Sequence, residues 1–262
     1  MASSSFNVRD REGRKQTVAV LAVDDTLVVL DKPAGLLVIP DHWDPTKPNL
    51  RDLAQQFLER EYGDGAGKIW VVHRIDKDTS GVVVFARTAA MHRELNRLFE
   101  QSRIDKTYLA LVQGTPAAAS GTIDEPIQRH PAKRGVMYVH PKGKAAITHY
   151  RVVEAFRHYA LLELKPETGR THQIRVHLQA LGCPLLVDPV YGSREAFDLS
   201  LIKRGYRPKD PWESNPALID RQTLHAAAVA FTDPLSGGER RFESDPPRDF
   251  RATLKALRKW DR

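Results

Sequence analysis

The sequence predicts an α+β fold with a mixed, mostly antiparallel sheet flanked by helices. Short apolar runs of strand length outnumber the stretches with helical spacing, and the two kinds follow one another irregularly. Neither an internal repeat nor a break in composition divides the sequence. We therefore expect a flexible, charge-rich arm over residues 1–16 and a single domain over residues 17–262.

The first half of the chain is expected to combine strands with two amphipathic helices. Residues 50–58 carry apolar side chains at helical spacing, with Asn49 suited to cap the helix and Gly63 suited to end it. Residues 91–99 repeat this helical spacing. Apolar runs that predict strands occupy residues 18–23, 27–30, 36–39, 69–72 and 82–86.

The second half is expected to add more strands and two further helices. Residues 171–181 predict a helix that Thr171 opens and Gly182 closes. Residues 193–222 contain prolines and many charges and predict a long surface excursion, while residues 249–260 predict a basic amphipathic helix. Strand-like runs occupy residues 108–113, 146–153, 159–164 and 225–231.

Composition narrows the class of protein. The formal net charge of +7 favours polyanionic partners such as RNA or DNA, although many basic proteins bind neither. No apolar run approaches the roughly 20 residues that a membrane-spanning helix needs, so we expect no membrane association. Cys183 is the single cysteine, which excludes an internal disulfide and favours a reducing cytoplasm. A monomer is the simplest expectation.

The densest cluster of chemically active side chains lies on the polar loop between the strands predicted at 69–72 and 82–86. Catalytic groups are often displayed on loops that a rigid strand scaffold holds in place. From the residues alone, a catalytic loop and a solvated polar turn are both open. The ionisable side chains of the cluster are His73, Arg74, Asp76, Lys77 and Asp78.

The same loop carries a longer pattern. The run His73-Arg74-Ile75-Asp76, followed by Thr79-Ser80-Gly81, resembles the active-site signature of the RluA-type RNA pseudouridine synthases. Further blocks resemble that family in its own order, at residues 30–38, 106–114, 143–150, 168–178 and 224–226. The resemblance implies the pseudouridine synthase fold, with an RNA groove along its centre, and an isomerase that converts uridines to pseudouridine in structured RNA, either tRNA or rRNA.

The resemblance also implies catalytic roles. Asp76 matches the catalytic aspartate, which attacks C1′ of the ribose or removes the 2′ proton to give a glycal. Tyr108 matches the tyrosine that packs against the uracil, and Arg175 matches the basic residue that pairs with the aspartate and favours its ionised form. No cofactor is implied, because uracil leaves through N1 and rejoins the same ribose through C5.

The remaining implied contacts are with the RNA. Arg74 matches the residue that contacts RNA around the flipped uridine, and extruding a base from a stem costs a few kcal/mol. Ile174 and Leu224 match apolar walls of the uracil pocket. Other positions of the signature blocks are expected to bind RNA or uridine: His73, Thr79, Arg170, His172 and Gln173.

Simpler interpretations remain open for several residues. Tyr108 could be an ordinary core tyrosine, and Arg175 could lie on a solvated helix face. His172, His177 and Cys183 suggest a metal site, but histidines five apart do not share one helical face, so we expect no metal.

Two other functions compete with the isomerase. One is a catalytically silent RNA-binding protein of the same fold, which the joint presence of Asp76, Tyr108 and Arg175 disfavours. The other is a glycoside or nucleoside hydrolase using Asp76 with Asp78, although side chains two apart on an extended loop face opposite ways. Many relatives carry an N-terminal RNA-binding module of the S4 type, for which the arm is too short. Target choice is then expected to depend on the groove, the basic C-terminal helix and residues 193–222.

Overall fold

The computed structural model describes residues 5–9, 15–206 and 216–262. Its strands are β1 (Ser5–Arg9), β2 (Lys15–Val23), β3 (Leu27–Lys32), β4 (Trp70–Val71), β5 (Ser80–Ala86), β6 (Asp105–Gln113), β7 (Ser120–Asp124), β8 (Ile127–Arg129), β9 (Met137–Val139), β10 (Ile147–Ala155), β11 (Tyr159–Pro166), β12 (Leu224–Thr232) and β13 (Glu239–Glu243). Its α-helices are α1 (Leu50–Tyr62), α2 (Ala89–Glu100), α3 (Gln173–Ala180) and α4 (Arg248–Trp260).

The chain forms two compact units. Unit 1 comprises Met1–Lys106 and Ala226–Asp245, and unit 2 comprises Thr107–His225 and Pro246–Arg262. No linker-like composition marks these boundaries, one of which falls within β6 and another within β12. That residues 17–262 form one domain stays a prediction.

Unit 1 is built on strands in the order β1-β2-β3-β5-β12, with β4 beside β5 and β13 beside β12. Most of these pairs are antiparallel, as the sequence predicts. Helix α1 begins and ends as expected: the Asn49 side chain accepts a hydrogen bond from the Asp52 N–H, and Gly63 ends the helix at a φ of 55°. The other helix, α2, buries Met91 and Leu95 against the sheet.

The flexible arm predicted over residues 1–16 is wrong for residues 5–9 and 15–16. Strand β1 pairs antiparallel with β2, and the Phe6 ring stacks on Phe57 of α1 with centroids 5.1 Å apart. Buried and exposed side chains alternate here as in a strand: Phe6 and Val8 are buried, while Ser5 and Asn7 are exposed. The charged residues that follow make this short alternation hard to see in the sequence. Residues 1–4 and 10–14 lie outside the described residues.

Unit 2 is built on strands in the order β6-β11-β10-β7, with the two-stranded pair β8-β9 beside them. Strands β11 and β10 pair antiparallel with their neighbours throughout. Helix α4 turns Phe250 and Leu257 into the core, which confirms the amphipathic helix predicted there.

Two predictions in unit 2 need correction. Helix α3 begins at Gln173 rather than Thr171, because His172 adopts a left-handed conformation with a φ of 55° and stops the helix from extending further back. Residues 193–222 are not wholly a surface excursion, since Phe197 and Ile219 are buried and bridge to each other. Residues 207–215 of that segment lie outside the described residues.

One further strand prediction is wrong. Residues 36–39 form no strand, and only Leu37 makes a single bridge, to Asn49. Among the residues that the structure describes, no helix combines the length and the apolar character that crossing a membrane requires.

Candidate active site

The loop that carries Asp76 joins β4 to β5 in unit 1, and a buried lysine fixes its course. Lys32 has 0% of its surface exposed, and its Nζ donates hydrogen bonds to the carbonyl oxygens of Pro33 (3.0 Å), Leu36 (2.8 Å) and Lys77 (2.8 Å). The Gly35 N–H donates to the same Lys77 oxygen at 3.0 Å. The residue directly after Asp76 is therefore anchored to the end of β3.

The return of the loop is equally constrained. The Thr79 N–H donates to the Asp76 carbonyl oxygen at 3.2 Å, which closes a tight turn. Gly81 follows with a φ of 116°, and a Cβ at this position would lie 2.1 Å from the Ala226 carbonyl oxygen. Only glycine therefore lets β12 approach the end of the loop.

Side chains of the loop differ in exposure. Arg74 is exposed and Asp76 is half-buried, so both remain accessible to a large ligand. Thr79 is buried, and we conclude that it shapes the turn instead of binding RNA as predicted.

His73 supports the loop from its other end. Its Nε2 accepts a hydrogen bond from the Val84 N–H at 2.9 Å, and its ring stacks on Phe99 with centroids 4.9 Å apart. Burial, and then the charge of Lys106, lowers the pKa of His73 to about 4. A neutral ring that accepts a backbone N–H positions the loop, and the predicted RNA or uridine binding by His73 stays a prediction.

Lys106 is a residue that the sequence argument leaves without a role. Burial lowers the pKa of its ammonium group to about 8. The family-like block 106–114 contains it, but nothing in the pattern distinguishes a partly buried lysine from an exposed one.

In unit 2, the loop before α3 is held by Gln173. Its side-chain oxygen accepts from the Thr168 hydroxyl (2.7 Å) and the Arg170 N–H (2.9 Å), while its Nε2 donates to the Ile147 carbonyl (2.9 Å) and the Thr148 hydroxyl (3.0 Å). All four hydrogen-bonding positions of the amide are used, and the residue is only 4% exposed. Contrary to the prediction, Gln173 has no capacity left for RNA.

Arg175 lies on the buried face of α3, so a solvated position is excluded. Its Nε and Nη2 bind the two carboxylate oxygens of Asp188 at 2.7 and 3.0 Å, with the two side chains 3% and 0% exposed. Burial alone raises the pKa of Asp188, but the hydrogen bonds from Arg175 outweigh it and hold the pKa below its usual value. The pairing of Arg175 with Asp76 concerns residues of different units and stays a prediction.

The aromatic ring of Tyr191 contacts this ion pair. The guanidinium of Arg175 lies 4.7 Å from the ring centroid of Tyr191. The Tyr191 hydroxyl accepts from the Met137 N–H at 2.8 Å and lies 2.8 Å from Nδ1 of His172. Tyr191 thus connects α3 to the β8-β9 pair, a role that the sequence argument did not assign.

The structure brings together the three residues predicted to contact uracil in unit 2. Tyr108 is partly buried and packs against the apolar cluster that contains Ile174 and Leu224. Arg175 follows Ile174 on the same helix, so an apolar wall and a fixed cation are adjacent along α3. Arg170 is exposed, with its Nε bound to the Ala145 carbonyl at 3.0 Å.

The β8-β9 pair carries a basic, aromatic surface that the sequence argument missed. The Tyr138 ring lies between His130 and His140, with both centroid distances 5.4 Å. Each histidine uses Nδ1 to accept the N–H of the second residue after it, so each ring keeps Nε2 for another partner. A repeated His-Pro sequence was the available signal. Exposed cations of this surface are Arg129, Lys133, Arg134, Lys142 and Lys144.

The suggested metal ligands do not form a site. Nδ1 of His177 lies 2.9 Å from the Thr148 hydroxyl, and its Nε2 lies 3.0 Å from the Glu125 carbonyl. Cys183 packs in the apolar cluster of unit 2. Over the described ranges of the chain, no three His, Cys, Asp or Glu side chains gather as metal ligands would.

Comparisons with known proteins give consistent results. Residues 26–180 match the family model described as RNA pseudouridylate synthase. The chain is 38% identical over 241 residues to ribosomal large subunit pseudouridine synthase D of Escherichia coli K12, covering 90% of this chain and 69% of that protein. It is 40% identical over 261 residues to the protein of the same name from Nitrosomonas europaea, covering 98% and 70%.

A solved structure agrees in fold. Human RNA pseudouridylate synthase domain containing 4 superposes with a TM-score of 0.70 at 27% identity, covering 91% of this chain and 92% of that one.

Proposed function

Because this chain belongs to the RNA pseudouridylate synthase family, and is therefore an isomerase acting on RNA, we propose that its substrate is large-subunit ribosomal RNA. The observation that carries the proposal is the 38–40% identity, over at least 90% of the chain, to proteins named ribosomal large subunit pseudouridine synthase D. Similarity of this extent covers far more of the chain than the catalytic signature alone.

Asp76 is the proposed catalytic group. In the reaction the C1′–N1 bond of uridine breaks, a C1′–C5 bond forms, N1 gains a proton and C5 loses one. Atoms and electrons balance within one nucleotide, so no co-reactant is needed. The hydrogen bonds that fix Lys77 and Thr79, directly after Asp76, support this role, because a nucleophile or base must be held near its attack position.

The apolar wall of unit 2 is proposed to receive the uracil. Tyr108, Ile174 and Leu224 share one apolar cluster, and a detached uracil ring needs a flat, dry surface on which to turn before it reattaches. Arg175, held by Asp188, is proposed to supply the cation that keeps the catalytic carboxylate ionised.

RNA is proposed to be engaged by two groups of residues. Arg74 is proposed to contact the strand from which the uridine is extruded, and its exposure two residues before Asp76 supports that role. On the β8-β9 pair, Tyr138 and its two flanking histidines offer stacking faces among exposed lysines and arginines, a combination that suits unpaired nucleotides.

The test is tritium release from RNA transcribed with 5-tritiated uridine, because replacing the C5 hydrogen by the glycosidic bond frees the label. Large-subunit rRNA and pooled tRNA are compared, each with wild type and Asp76→Asn. We expect release from rRNA by wild type alone. Release from tRNA but not rRNA would overturn the proposed substrate, and free uracil in place of tritium release would indicate a hydrolase.

Retained release by Asp76→Asn would overturn the catalytic role of Asp76. Binding of the rRNA by this variant, measured in parallel, distinguishes lost chemistry from lost affinity. We expect its dissociation constant to stay within a few-fold of that of the wild type.

A further inference from the structure

Helix α4 presents an exposed cationic stripe. Arg251, Lys255 and Lys259 follow one another at four-residue intervals, so they lie along one side of the helix, and all three are exposed. Like charges at this spacing repel each other and destabilise an isolated helix. A negative partner that covers the stripe would relieve this repulsion.

The stripe ends at Trp260, whose ring also contacts Lys203 from another segment of the chain. Trp260 is 38% exposed, and the Nζ atoms of Lys203 and Lys259 each lie 4.8 Å from its ring centroid. Attraction between ammonium groups and the indole face offsets part of the repulsion between the two lysines. We call Lys203, Arg251, Lys255, Lys259 and Trp260 the C-terminal cationic patch.

Carboxylates near the patch are bound elsewhere. Asp249 pairs with Arg221 at 2.6 Å, Asp261 lies 2.7 Å from Nδ1 of His158, and Glu154 pairs with Arg258 at 2.8 Å. Within residues 5–9, 15–206 and 216–262, no carboxylate pairs with a cation of the patch. Its charge is thus not neutralised by the described part of the chain.

The chemistry of the patch selects among partners. A membrane-bound amphipathic helix needs a free apolar face, but Phe250 and Leu257 of α4 are fully buried in the core of unit 2. Only the cationic side is available to a partner, and a chain of phosphates complements a row of positive charges.

We propose that the C-terminal cationic patch binds backbone phosphates of the RNA that the enzyme modifies, at a place separate from the target uridine. This inference rests on the proposed function for the identity of that RNA. Lys203 and Lys259 contact phosphates, while Trp260 is a positioning residue whose ring holds both ammonium groups.

The experiment compares the full chain with its Lys203→Ala/Lys259→Ala variant on a large-subunit rRNA transcript. Dissociation constants are measured between 0.1 and 1 M salt, and tritium release is followed in single turnovers at saturating enzyme. Loss of two phosphate contacts should reduce the slope of log affinity against log salt by about 1.5. The affinity loss should be about thirtyfold at 0.1 M salt and vanish towards 1 M. The rate at saturation should stay within twofold.

Lys68→Ala is the matched control. Lys68 is also an exposed lysine over an indole, 6.0 Å from the ring centroid of Trp70, but it lies in unit 1 and outside any such stripe. It should leave affinity and salt slope unchanged. Trp260→Ala should give a smaller affinity loss, which Trp260→Phe restores in part because phenylalanine still offers a ring face.

An unchanged salt slope in the double variant, or an equal loss in Lys68→Ala, would overturn the proposal. So would a loss seen only with assembled large-subunit particles and not with the naked transcript, since that result assigns the patch to a protein partner. Failure of the proposed function looks different: the wild type would bind the transcript but release no tritium from it.

Discussion

The two units fix their candidate site residues by different means. In unit 1, Lys32 reaches three backbone carbonyls and so sets the path of the loop that carries Asp76. In unit 2, Arg175 is oriented by another side chain, the carboxylate of Asp188. Every residue supplies a backbone carbonyl, so the acceptors of Lys32 do not depend on the identity of the side chains around it. The ion pair of Arg175, in contrast, requires a carboxylate at one particular position.

This difference has an energetic consequence. Lys32 donates to neutral carbonyls, whereas Arg175 and Asp188 join two buried opposite charges. Removing one member of the charge pair leaves the other buried without its bidentate contact, but removing Lys32 takes one donor from each of three carbonyls. We therefore expect unit 2 to be the more sensitive to a single substitution of its anchor.

The largest expected effect is that of Asp188→Asn. It removes the carboxylate charge that binds the buried Arg175 guanidinium through two hydrogen bonds, which should lower the free energy of unfolding by about 3–5 kcal/mol. Chemical denaturation measures the loss. Asp249→Asn, which breaks the more exposed pair with Arg221, is the control and should cost about 1 kcal/mol or less.

The double variant Arg175→Met/Asp188→Leu separates the contribution of Arg175 to stability from its proposed contribution to turnover. Replacing both charges by apolar side chains should recover part of the lost stability, but not all of it, because the Val190 and Tyr191 N–H groups lose the Asp188 oxygen that accepts their hydrogen bonds. Turnover should stay lost, because Arg175 is proposed to act on the catalytic carboxylate. Recovery of turnover together with stability would reduce Arg175 to a structural role.

Lys32→Met is expected to have the next largest effect. The carbonyls of Pro33, Leu36 and Lys77 lose a donor, which should lower the free energy of unfolding by about 3 kcal/mol. Displacement of the loop by about 1 Å should slow single-turnover tritium release roughly a hundredfold. Lys47→Met, a lysine paired with Asp41 near the surface, should leave the rate unchanged, and equal effects of both changes would refute the anchoring role.

A smaller effect is expected from titration of His73. Its pKa is about 4 in the folded protein and about 6.5 when unfolded, so the unfolded state binds the proton more tightly. The stability that the neutral ring contributes is therefore complete above pH 6.5 and is lost as the pH falls through 4. Between pH 6.5 and 4, His73→Gln should therefore reduce the pH-dependent change in the free energy of unfolding by up to about 3 kcal/mol.

Two measurements test the His73 prediction. If the free energy of unfolding varies with pH in the same way for wild type and His73→Gln, titration of this ring does not contribute to the pH dependence of stability. Lys106→Met removes the ammonium that repels the protonated ring, so the His73 ring protons should then titrate at a higher pH in an NMR experiment.

The smallest expected effect is that of Tyr191→Phe. It removes one hydroxyl that accepts from Met137 and contacts His172, at a cost of about 1 kcal/mol, while the ring beneath Arg175 is kept. Thermal denaturation should show a small decrease in Tm, with affinity for rRNA reduced more than the saturated rate. A large loss of the rate would place the hydroxyl in the chemistry.

Local signals in the sequence predicted much of the fold. The cap at Asn49, the stop at Gly63 and the apolar face of α4 depend on residues within one or two turns, and all three are confirmed. Strand β1 was missed because its alternation covers only five residues within a charged segment. The left-handed conformation of His172 likewise has no marker in the residue type.

The supporting residues of the candidate site were harder to predict. Lysine is rarely buried, so the burial of Lys32 does not follow from its pattern. Asp188 lies thirteen positions from Arg175, and their pairing depends on tertiary folding rather than on spacing. The resemblance to a family identified which residues act, but their anchors emerge only from the packed structure.

Strand β1 has a practical consequence for anyone who shortens the protein. Removing residues 1–9 would turn β2, a nine-residue strand, into an open edge with unpaired N–H and C=O groups. It would also uncover Phe57, on which Phe6 now stacks. Copies of a shortened chain would then tend to pair edge to edge and precipitate, so truncations and tags are better planned with residue 5 as the limit.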